Sequence, residues 1–121
     1  MIGYYAHQHG SGHLNFARLF AKVFENEICT FSSLKKPEAL KGQFVRLADE
    51  NPDGTASFKN QIAEPDYLHY SPVGQRSIQL RSAQILQEVV ERNIQFMVVD
   101  VSVEIAALMR VSSIPYAYVK L

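Results

Sequence analysis

The chain has 121 residues, 47% hydrophobic and 20% charged, which fits one globular domain with an ordinary core and excludes a disordered polymer. Twelve Lys plus Arg against twelve Asp plus Glu cancel to a formal net charge of zero, so no basic field is available to attract nucleic acid or acidic lipid in bulk. The single cysteine excludes an internal disulfide, and the absence of a basic leader or a long apolar segment makes a cytoplasmic location the expectation.

An apolar strand is expected over residues 1–6, running into the loop His7-Gln8-His9-Gly10-Ser11-Gly12 and a helix that opens at His13. Strand, glycine turn and helix form a phosphate-binding arrangement. Gly10 and Gly12 can take conformations closed to other residues and let a ligand approach the main chain. The helix start presents unpaired N–H groups and the positive end of its dipole, which favour an anion such as a diphosphate. Along this helix Leu14, Ala17, Ala21 and Phe24 are spaced to face a sheet, while Phe16, Phe20 and Val23 form a second apolar row, more than one sheet face needs.

Further strands are expected over residues 27–31, 44–47, 96–100 and 115–119. Cys29 lies in the second of the five and reads as a small buried hydrophobe. Lys35-Lys36 reads as a solvated turn, and residues 35–41 add a helical turn before the third strand. A long helix over 74–92 buries Ile78, Ile85, Leu86, Val89 and Val90, and a short one covers 103–109. Between the third strand and the long helix, residues 48–72 form a connection too long for so compact a domain, of the kind that binds something or lacks order. The final strand leaves a bare apolar edge, which suggests the front portion of a longer protein or a homodimer paired through that strand.

Strands alternating with helices indicate an α/β domain with an open, doubly wound parallel sheet of order 3-2-1-4-5. In that order the winding reverses between the first strand and the one ending at Asp100, and ligands bind at such a reversal. The segment 7–13 and Asp100-Val101-Ser102 both open there. His13, in the first turn of a helix, has its imidazolium form opposed by the dipole, which suits it to act as a general base toward a hydroxyl; capping the helix is the equal alternative. Asp100 and Ser102, at a strand end beside a helix start, read first as turn or cap residues, and His7 and His9 as loop lining. The spacing H-x-H-x-x-x-H of His7, His9 and His13 would need a further ligand such as Asp100 to hold zinc, and no metal is expected. A nicotinamide site is disfavoured because the turn reads G-S-G-H rather than G-x-G-x-x-G, with Thr30 to Ser33 where an acid is required.

His9-Gly10-Ser11-Gly12-His13 with the helix after it resembles the first glycine-rich turn of nucleotide-sugar glycosyltransferases of GT-B architecture, especially the undecaprenyl-diphospho-muramoyl-pentapeptide N-acetylglucosaminyltransferase group. Phe96-Met97-Val98-Val99-Asp100, then Glu104 to Arg110, then Ser113-Ile114-Pro115-Tyr116 is similar to that family's later strand, Asp, helix and small-residue-Ile-Pro strand. The resemblance covers both ends of the chain; residues 50–75 match nothing in it. Nucleotide-sugar hydrolases of the pseudaminic acid pathway share a similar turn. The chain differs from the cell-wall enzymes in having one glycine fewer in the turn and no second glycine loop after Asp100.

The resemblance implies a Rossmann-like N-terminal, acceptor-side domain over residues 1–121, with a donor-binding domain elsewhere in the parent protein. Gly10, Ser11, Gly12, His9 and Ser102 would face the donor diphosphate. His13 or Asp100 would deprotonate an acceptor hydroxyl for inverting, metal-independent transfer without a cofactor. The second apolar row would serve as interdomain surface, and the isolated chain would be catalytically silent. The partners implied are a nucleotide-sugar donor and an acceptor of open identity, with peripheral membrane contact by the full-length protein left open. Tyr67, His69 and Tyr70 would pack the long loop onto the domain in preference to stacking on an acceptor. The alternatives are a nucleotide-sugar hydrolase and a noncatalytic α/β module that holds a phosphorylated ligand.

Overall fold

The computed structural model describes residues 1–7, 12–49 and 73–119. Five apolar runs form β1 (Ile2–Tyr5), β2 (Ile28–Ser32), β3 (Gln43–Arg46), β4 (Phe96–Asp100) and β5 (Tyr116–Val119). They pair in parallel in one sheet of order β3-β2-β1-β4-β5, the open, Rossmann-like arrangement expected from the alternation of strands and helices. β1 is central, with Tyr4 opposite Thr30 on one side and Val98 on the other.

Among the described residues three α-helices accompany the sheet, α1 (Gly12–Phe24), α2 (Arg76–Glu91) and α3 (Val103–Val111), with a short 3-10 turn at Glu25–Glu27 after α1. Because side chains alternate along a strand, each strand feeds two cores. On one face Tyr5, Cys29, Phe31, Met97 and Val99 pack with Ile85 and Val89 of α2 and with Ile105 and Met109 of α3. On the other, Tyr4, Ala6, Ile28 and Val98 pack with Ala17 and Ala21 of α1. Small residues on α1 let it lie close to the strands, flanked by Leu14, Phe20 and Phe24. Its outer row stays exposed, Phe16 and Val23 together with Leu19. Cys29 is fully buried, and that burial pushes its thiol up to about 11, so it is a protonated core residue near neutrality.

Two sequence expectations are corrected. Residues 35–41 form no helical turn; Leu40 N–H donates to the Pro37 carbonyl (3.2 Å) in a single tight turn. Pro37 offers no N–H and biases Lys36 away from helical geometry. Gly42, at φ +79°, then swings the chain into β3, and a Cβ there would lie 2.8 Å from the Ile28 carbonyl oxygen. The second correction concerns α2. Val90 is 79% exposed, and the buried stripe is instead Arg81, Ile85 and Val89, with Ile78 and Leu86 half-buried.

Arg81 is buried because its guanidinium is fully engaged. Nε and Nη2 donate to the two oxygens of Glu104 at 3.2 and 2.5 Å, and Nη1 donates to the Asp49 carbonyl. A planar fork meeting a carboxylate through two bonds is the favourable geometry for such a pair. It joins α2 to the first turn of α3 and to the chain leaving β3, where Ala48 N–H also donates to Gln84 Oε1 (2.9 Å). The rest of the long connection, with Tyr67, His69 and Tyr70, lies outside the described residues. Among the described residues no helix is long and apolar enough to cross a membrane.

Removing one member of a buried pair leaves the other charge unmatched, at a cost of about 3 kcal/mol or more. Arg81→Ala is therefore expected to lower the urea midpoint by that equivalent with an unchanged m-value. A loss under 1 kcal/mol would show that Glu104 finds solvent without its partner.

Candidate functional site

The site is built where β1 and β4, neighbours in space but 96 residues apart at Tyr4 and Asp100, end beside the start of α1. Asp100 is the last residue of β4 and alternates onto the α1 face with Val98. It is 1% exposed, and a carboxylate so placed must be hydrogen-bonded. The Tyr4 hydroxyl donates to Oδ2 from 3.1 Å, and His13 Nδ1 lies 2.8 Å from the same oxygen. His13 is the second residue of α1 and its side chain keeps 14% of its surface, enough to meet a ligand from the outer side.

An ionised carboxylate only accepts hydrogen bonds, so the ring nitrogen facing Asp100 carries the hydrogen. In the neutral ring with that tautomer Nε2 keeps its lone pair, as a general base requires. His7, just after β1, lies edge-on to His13 with ring centroids 5.7 Å apart. The first turn of α1 contains no acidic residue, whereas α3 opens with Glu104 in its first turn. The N–H groups at the start of α1 therefore face no carboxylate from their own first turn.

Of the residues expected from sequence, His13 and Asp100 are in direct contact. Asp100 is a hydrogen-bond acceptor for two side chains rather than a helix cap. Ser102 takes the cap: its Oγ accepts from Ile105 N–H at 3.3 Å, at the N-terminus of α3. Gly12 opens α1, with a φ outside the left-handed region and nothing within 4 Å of a Cβ placed on it. His9, Gly10 and Ser11 lie outside the described residues. Among the described residues no three His, Cys, Asp or Glu side chains gather as a metal site requires.

Tyr4 is the residue that sequence reading missed. It stands in an apolar strand and looks like core, and its ring does pack against Phe20, centroids 5.2 Å apart. Only the fold brings its hydroxyl to Asp100. Burial, reinforced by the charge of Asp100 and by this hydrogen bond, pushes the Tyr4 hydroxyl far above the ordinary tyrosine range, so it remains a donor. No protein-family model, curated protein or solved structure matches the chain.

A proton held more tightly in the folded state stabilises the fold fully below the unfolded pKa of about 10, and that contribution is lost as pH rises toward the folded value. In an alkaline absorbance titration Tyr4 is expected to ionise only with unfolding. Tyr4→Phe should remove about one phenolate from that cooperative step and destabilise the neutral protein by about 1–3 kcal/mol through the lost donor to Asp100. A titration with an unchanged cooperative step would place the Tyr4 hydroxyl in water.

Proposed function

We propose that the chain is the N-terminal, acceptor-side domain of a bacterial inverting glycosyltransferase of GT-B type, acting in the cytoplasm on a nucleotide-sugar donor without a metal. The observation that carries the reading is the hydrogen bond between His13 and a buried Asp100 at the start of α1. Asp100, steadied by Tyr4, holds the ring so that Nε2 accepts the proton of an acceptor hydroxyl. The oxygen then attacks the anomeric carbon while the carbon–oxygen bond to the diphosphate breaks. The leaving diphosphate keeps the electron pair, and its charge is met by the N–H groups at the start of α1. This reading agrees with the resemblance of the turn and of the β4–α3–β5 segment to that family.

Gly12 adds independent support. Its backbone is helical and no described residue lies within 4 Å of a Cβ placed on it, so the described fold gives no reason for the missing side chain. Close approach of a ligand to the helix start supplies one.

In a protein that carries this domain with its donor-binding partner domain, His13→Ala is expected to lower kcat by roughly 10²–10⁴ while leaving donor affinity within a few-fold. An effect on affinity alone would point to a noncatalytic phospholigand module. Free sugar released at full rate without an acceptor would identify a nucleotide-sugar hydrolase. Residues 1–121 alone are expected to turn over no donor. Gly12→Ala separates fold from function: it should stabilise the free chain by up to about 1 kcal/mol and weaken binding of uridine diphosphate, the minimal diphosphate probe. Unchanged binding in that variant would remove the ligand from the start of α1.

A further inference from the structure

We propose that Tyr118 is a positioning residue for the His13–Asp100 pair, acting through the backbone of Val101 from the opposite face of the sheet. Val101 follows Asp100 directly and has φ +64°, left-handed geometry that a β-branched residue rarely adopts. Such a residue persists only where its surroundings fix it. Here β5 holds both of its polar backbone groups. Val101 N–H donates to the Val119 carbonyl at 3.0 Å, and the Tyr118 hydroxyl donates to the Val101 carbonyl at 2.9 Å. The first bond extends the sheet ladder past the pairing of Asp100 with Val119, whereas the second depends on a side chain.

Tyr118 pairs with Val99, whose side chain lies in the α2 and α3 core, whereas Asp100 faces α1. The tyrosine therefore influences His13 only through the chain. Tyr118 is 39% exposed, so core packing accounts poorly for its presence, and its hydroxyl has a defined partner. Val101 lies between two fixed points, the carboxylate that receives His13 and Tyr4, and Ser102, which caps α3. Releasing the Val101 carbonyl lets the peptide after Asp100 relax toward ordinary geometry and turns the carboxylate away from Nδ1. A shift of that kind, well under the length of a bond to substrate, is what degrades a general base.

The inference rests on the reading of His13 as the base, and its test is chosen to separate the two. The probe is the ring of His13, observed by ¹⁵N NMR, which reports how much of the neutral imidazole carries hydrogen on Nδ1. Tyr118→Phe is expected to raise the Nε2–H fraction. Val101→Gly, which takes left-handed geometry without strain, is expected to keep the native tautomer. In the Val101→Gly background, Tyr118→Phe should then have no further effect. In the enzyme with both domains, Tyr118→Phe should lower kcat by roughly 10-fold to 100-fold with KM nearly constant. A tautomer shift without any transfer activity to lose supports the clamp and removes only the catalytic reading. Unchanged ring signals in Tyr118→Phe, or an equal shift in both backgrounds, would overturn the proposal.

Discussion

A carboxylate taken out of water is the constraint around which this molecule is arranged. Isolated, a buried charge costs several kcal/mol after relaxation, and among the described residues two side chains converge on one oxygen of Asp100 at the end of β4. One comes from β1 and one from α1, so a single group requires β1 beside β4 and the start of α1 over that pair. The strand order supplies the first of these directly. Asp100 thereby links three elements far apart in sequence, and the chemistry available to His13 follows from which atom of its ring that link occupies.

The two faces of the sheet divide the labour. The α2 and α3 side is an apolar cluster, and the Arg81–Glu104 pair joins the two helices that cover it. The α1 side has one helix, a smaller cluster and the polar group. Thr30, on β2 opposite Tyr4, is fully buried there.

Much of this was legible because the signals are local. Runs of Ile, Val, Tyr and Phe set off by turn residues place all five strands to within one residue, and the alternation with helices implies the order of the sheet. The same order juxtaposes His13 and Asp100, although nothing in either segment alone names the other. What escaped depends on partners distant in sequence. Tyr4 has no local mark that separates a hydroxyl with a partner from an ordinary core tyrosine. Arg81 did carry a mark, since Arg81, Ile85 and Val89 are spaced four apart on one stripe. A charged residue on an apolar stripe is easily set aside in favour of Val90, because its burial is explained only by Glu104 on another helix and by a carbonyl beyond β3.

Glycines show how far the reasons for a residue can be read from the folded chain. Gly42 needs to be glycine for its left-handed backbone and for the carbonyl a Cβ would strike. A Cβ on Gly3 would lie 2.7 Å from the Met97 sulfur, so the end of that flexible side chain would have to move aside to admit one. Gly12 has neither reason. It is the first residue of α1, and no described residue lies within 4 Å of a Cβ placed on it. On the reading proposed above, close approach of a ligand to the start of α1, next to the histidine that meets Asp100, is the reason for a glycine there.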